Sequence, residues 1–247
     1  MVLMLALSVG CVRSKVTPTK APIVSPVLET VDDHAILQLP VVGFEKLSLK
    51  DKLLAYHLYA AAVAGRDIVF DQIHRNNLAV REICEQILLH SNGIDQTTLG
   101  AVASYLKLQY LNVGLYGKFT FAKFLPPGSL TYEKLEAAAL SAHENGATYR
   151  LAGDVPVGTY VRSLQTTMFD PDFENYSTTR SPGKGRDIIS ASANNLYERG
   201  LRLSDLKNFK DHYLLNARLV REHGKIVEQV YRTGDPSRKI PVARPTK

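Results

Sequence analysis

From Ser48 onward the apolar residues recur at helical spacing, and they switch to alternation only near the C-terminal end. The pattern therefore predicts helices first and a β-hairpin last. Ser48-Leu49-Lys50-Asp51 reads as a helix start, a hydroxyl cap with a carboxylate three positions on. Leu49, Leu53, Tyr56, Ala60 and Val63 then mark one face, and Gly65 is expected to end the helix. A second helix is expected from Asn77 through Leu78, Arg81, Cys84 and Leu88, with Asn92-Gly93 as its stop. Asp95 can cap a third, with Leu99, Val102, Leu106 and Tyr110 on one face, and Thr131 a fourth that Gly146 closes. Asp154 and Pro156 suit the start of a fifth helix, and Asp170-Pro171 the turn after it. The polar, Gly-containing stretch from Tyr176 to Arg186 reads as a loop, and helical signals resume at Asp187 and after Ser204. From Leu214 to Tyr231 two alternating segments flank Glu222-His223-Gly224-Lys225, the signature of a hairpin turn. The fold class expected is mainly α with a C-terminal β-hairpin.

The two ends read differently. Met1 to Gly10 is almost wholly apolar and leads into Leu7-Ser8-Val9-Gly10-Cys11, which resembles the end of a bacterial lipoprotein signal with Cys11 as the lipidated residue. Basic residues ahead of the apolar run are missing, and Ser8 stands where a branched aliphatic is usual. The run is far shorter than the roughly 20 residues a bilayer span takes. Pro18, Pro22 and Pro26 break any helix after it, so residues 12–40 are expected to be an extended tether. Residues 41–232 form the expected folded region. Residues 233–247 are basic, contain three prolines and lack periodicity, which predicts a disordered tail.

The formal charge of +6 lies at these ends: residues 12–21 carry +3, residues 232–247 carry +4, and the body 22–231 sums to −1. A nearly neutral body has no basic stripe to track a phosphate backbone, which excludes nucleic acid as a partner.

Zinc hydrolases place two histidines and a glutamate on one helix face, because imidazoles one turn apart can share an ion. Of the seven histidines only His143 is followed by glutamate, and no second histidine arrives a turn later, so His143 reads as an exposed last-turn residue. Asp170, Asp172 and Glu174 alternate as in a calcium loop but lack its glycine and distal glutamate, and read as a solvated turn. Pro182-Gly183-Lys184-Gly185-Arg186 is too short for a phosphate-cradling loop, G-x-S-x-G does not occur, and Cys84 reads as a small buried thiol. Arg66, Asp67 and Asp71 form a charge cluster with two readings. One is a peptide-facing site; the other is a helix-to-helix junction in which Arg66 bonds carboxylates or carbonyls and Asp71 caps.

Several segments carry a family resemblance, in the same order as in the family. They are Gly43 to Gln72, A-K-F-L-P-P at Ala122 to Pro127 with the helix to Asn145-Gly146-Ala147, S-A-N-N at Ser192 to Asn195, and L-N-A-R-L-V-R-E-H-G-K at Leu215 to Lys225. Together they resemble the N-terminal part of bacterial members of the dipeptidyl peptidase III family. The chain departs from that pattern at V-G-L-Y-G-K-F-T-F (Val113 to Phe121) and again after the hairpin. The resemblance implies part of one lobe of a two-lobed zinc exopeptidase that releases dipeptides from peptide N-termini. In that family the zinc is held by an H-E-x-x-G-H helix and a later E-E-x-R-A-D-like helix, and neither motif occurs in these 247 residues. No catalytic or metal residue carries over to this chain, which is expected to hold no cofactor and to be inactive alone. Peptide substrate would follow only from a complementing catalytic segment, and the missing catalytic lobe is the implied protein partner. Cys11 implies membrane attachment through a lipid, in the bacterial cell envelope. The alternative reading is a lipid-tethered module that binds peptide or protein without cleaving it.

Overall fold

The computed structural model describes residues 26–31, 34–213, 216–231 and 245–246. The chain divides into two compact units, residues 1–40 and 41–247. In the first, β1 (Val27–Val31) and β2 (His34–Leu37) pair antiparallel, with a register irregularity between Val27 and Glu29. Part of the expected tether is therefore a strand pair. The β-branched residues Val27, Thr30, Val31 and Ile36 favour a pleated backbone and outweigh the prolines before them.

The second unit is helical and ends in strands, as the pattern required. Its helices are α1 (Leu49–Ile73), α2 (Asn77–Leu89), α3 (Gln96–Asn112), α4 (Tyr132–Glu144), α5 (Val157–Ser163), α6 (Gln165–Phe169) and α7 (Ile188–Ala191). Caps fix several starts. Ser48 Oγ accepts from Asp51 N–H at 3.2 Å, Asp95 Oδ1 from Thr98 N–H at 2.9 Å, and Thr131 Oγ1 from Lys134 N–H at 3.4 Å. Each cap contributes about 1 kcal/mol. After Ser204 the helical signal amounts to one 3-10 turn, Leu203–Leu206.

The expectation that Gly65 ends the first helix was wrong. α1 runs eight residues further, through Gly65, because Asp67, Phe70 and Asp71 beyond it are held by tertiary partners. Those contacts offset the roughly 1 kcal/mol that a mid-helix glycine costs.

α2, α3 and α4 pack around one core in which Ile83, Ile87, Val102, Tyr105, Leu135 and Ala139 are fully buried, closed by Val161 of α5 and Met168 of α6. A smaller core joins Ile189, Leu201 and Leu219. β3 (Ala217–Glu222) and β4 (Lys225–Tyr231) form the C-terminal antiparallel hairpin. His223 and Gly224 at its tip both take positive φ, 49° and 78°, as a two-residue hairpin turn demands. β5 (Pro245–Thr246) pairs with Tyr231 and Val230, so the expected disordered tail contributes a short third strand.

Most of α1 stands uncovered. Leu49, Leu53, Leu54, Leu58, Tyr59 and Val63 are exposed, with Leu58 at 62% and Tyr59 at 69%. Among the described residues α1 is the one helix long and apolar enough to cross a membrane by length and composition. Near its end, however, Arg66 and Asp67 carry charge and Phe70 and Asp71 are buried, and Lys50, Asp51 and Lys52 sit at its start. The apolar stretch between them is about 13 residues, or about 20 Å, short of a bilayer's hydrocarbon core.

Candidate functional site

α1 and α2 meet at the corner His74-Arg75-Asn76, and the residues around it are tied to segments far away in sequence. Asn77 is fully buried at the start of α2; its Nδ2 donates to Phe70 O at 2.9 Å and its Oδ1 accepts from Leu115 N–H at 3.2 Å. Gly114 lies against that amide with φ 141°, and a Cβ there would stand 2.1 Å from Asn77 Nδ2. Only glycine fits.

His74 is fully buried. Asn76 N–H donates to its Nδ1 at 3.2 Å, so Nδ1 is an acceptor and Nε2 carries the proton, donating to Glu174 Oε2 at 2.7 Å. Both ring nitrogens are satisfied in the neutral form. Burial, then the charges of Arg75, Arg199 and Lys123, lower the His74 pKa from 6.5 to about 3. The adjacent carboxylate pulls the other way, but its charge is already shared: Arg75 Nη1 and Nη2 donate to both Glu174 oxygens at 3.0 and 3.1 Å, and Arg199 pairs with Oε1. Glu174 is a hub rather than part of a solvated turn. Its side chain is 10% exposed, its φ of 50° is left-handed, and Tyr116 OH donates to its carbonyl at 2.8 Å. Lys123, from the A-K-F-L-P-P segment, donates to the carbonyls of Thr167, Asp170 and Phe173 and so clamps the turn that presents Glu174.

Asp71 anchors the C-terminal hairpin. Its Oδ2 accepts from Asn195 Nδ2 at 3.0 Å and from Tyr231 OH at 2.6 Å, while Asn195 N–H donates to Gln72 O at 2.8 Å. Burial and then the Asp71 charge raise the Tyr231 phenol's pKa, which keeps it a donor. Arg66 and Asp67 face elsewhere. Arg66 lies 5.3 Å over the Tyr110 ring, and Asp67 accepts from Arg81 Nη1 at 2.7 Å. Arg66 Nε also lies 4.0 Å from Asp67 Oδ1, so those two charges pair with each other while Asp71, inside the continuous helix α1, turns to Asn195 and Tyr231.

A cavity of about 720 Å³ opens beside this corner, lined by Asp71, Arg75, Asn195 and Arg218 together with Leu78, Leu151 and Val155. A smaller cavity of about 170 Å³ shares Arg75, Asn195 and Arg218 and adds Arg199. Sequence reasoning named Asp71 and read Glu174 as part of a solvated turn, but gave no role to Asn195, Tyr231 or Arg218. Asn195 and Tyr231 both lay inside the quoted resemblance segments or their strand.

Among the described residues no three His, Cys, Asp or Glu side chains come together as a metal-binding group. His74 is committed to Glu174, and His143 Nδ1 lies 3.1 Å from Ala147 O. The described residues do not fit the zinc centre that the resemblance implies. Cys84 is buried, its thiol pushed up to about 12 by desolvation, and is inert. Cys11 lies outside the described residues. No protein-family model matches the chain, and no curated protein matches it in sequence.

Proposed function

We propose that this polypeptide is the N-terminal portion of a dipeptidyl peptidase III-like zinc exopeptidase, lipid-anchored in the bacterial envelope through Cys11. By itself it releases no dipeptides. The observation that carries the reading is α1: its uncovered stretch, apolar on all sides and too short to span a bilayer, is the surface of a helix built to be packed by more polypeptide. A catalytic lobe is the partner that the resemblance supplies. The convergence of the resemblance segments adds support. F-D-Q of α1, S-A-N-N and the hairpin meet at Asp71 across 124 and 160 residues, and A-K-F-L-P-P braces the neighbouring Glu174 turn.

Purified full chain, incubated with zinc and dipeptidyl-aminocoumarin substrates, tests this reading. It is expected to release no fluorophore and to retain no stoichiometric zinc after gel filtration. Turnover, or one tightly held zinc per chain, refutes it. The second reading, a binding module without chemistry, is favoured by the cavity at the α1–α2 corner, whose size is that of a small-ligand site.

A further inference from the structure

The geometry points to an organic-acid site at the α1–α2 corner: Arg218 and Arg75 hold a carboxylate while Leu78, Leu151 and Val155 cover the ligand's apolar body. This stands whether or not the chain belongs to a peptidase. The two cavities share Arg75, Asn195 and Arg218, so both open onto the same guanidinium pair and the same amide. Arg75 spends two of its N–H donors on Glu174 and keeps the others.

Arg218 is less committed: its Nε is buried without a hydrogen-bond partner. A buried donor left unmade costs about 1–3 kcal/mol, and a planar guanidinium matches a carboxylate's two oxygens. The nearby acids are already engaged. Asp71, which itself lines the larger cavity, accepts from Asn195 and Tyr231, Glu174 pairs with Arg75 and Arg199, and Glu198, on the smaller cavity, accepts from Arg221 N–H. Leu78, Leu151 and Val155 line the same cavity, so a bare inorganic anion would leave them uncovered, whereas an acid with a branched apolar group can meet both the guanidinium groups and the aliphatic side chains.

Calorimetric titration of the full chain with N-acetyl-leucine, its uncharged amide and inorganic phosphate separates these chemistries. The acid is expected to bind at least about tenfold more tightly than either the amide or phosphate, the scale of one charge-assisted contact. Arg218→Met, which keeps the apolar stem and removes the unpartnered donor, is expected to lose that preference while its urea midpoint does not fall; Arg218→Lys should recover the preference only in part. Equal binding of acid and amide, phosphate binding as well as the acid does, no detectable binding of the acid at millimolar concentration, or an Arg218→Met chain that binds like wild type would each overturn the site. The acid–amide comparison needs no variant, so a folding defect in Arg218→Met leaves the question answerable.

Discussion

His74 makes the fold sensitive to acid, and the size of the effect follows from its surroundings. The imidazole is fully buried, its Nδ1 faces a backbone donor, and Arg75, Arg199 and Lys123 stand near it, so its pKa in the folded chain is about 3 against 6.5. Between those values the unfolded chain binds a proton that the folded chain refuses. Stability from this group is therefore complete above pH 6.5 and falls as pH drops toward 3. At pH 5 the deficit relative to pH 8 is about 2 kcal/mol, and at pH 4 it is about 3 kcal/mol. Urea unfolding at pH 8 and pH 5, on wild type and on His74→Gln, reads it directly. Gln can still donate to Glu174 but does not titrate, so the variant is less stable at pH 8 yet loses about 2 kcal/mol less between the two pH values. If both proteins lose the same stability, or if the His74 ring titrates near 6.5 by NMR in the folded chain, the neutral buried imidazole is refuted.

Three other outcomes are expected. Asp71→Ala strands the Tyr231 hydroxyl and the Asn195 amide, and should cost about 3–5 kcal/mol by urea unfolding, with early loss of exchange protection in residues 217–231; unchanged protection there would contradict the anchoring role. Gly114→Ala drives a methyl into Asn77 at a positive φ and should cost at least about 3 kcal/mol, whereas Gly100→Ala, where a Cβ meets nothing within 4 Å, should be neutral or slightly stabilising. Leu54→Glu with Leu58→Glu on the uncovered face of α1 should leave the unfolding midpoint within about 0.5 kcal/mol and reduce self-association in sedimentation velocity; a large loss of stability would mean that face is packed within the monomer.

What the sequence disclosed was local. Ser48, Asp95, Thr131 and Asp187 each cap the helix they were expected to start, since a cap involves residues only two or three positions apart. The hairpin was legible for the same reason: His223-Gly224 sets the turn and the flanking alternation sets the register. Gly65 misled because propensity knows nothing of Arg81, Asn195 and Tyr231, which hold the far end of α1 in place. Glu174 misled in the other direction. Asp170 does make the expected local turn, accepting from the N–H groups of Asp172 and Phe173, yet at Glu174 the chain bends to left-handed φ and sends a carboxylate inward to His74. No spacing within the segment 170–175 announces partners at 74, 75 and 199. The polar residues of S-A-N-N and the closing Tyr231 were visible as part of a resemblance, but their common target, Asp71, emerges only when the chain is folded.

The most direct test of the proposed identity is to read the coding DNA beyond codon 247 in every frame. The account predicts that it encodes an H-E-x-x-G-H helix followed by a second acidic zinc-binding helix, within the few hundred codons that a second lobe needs. Several hundred codons of sequence without either motif would contradict it.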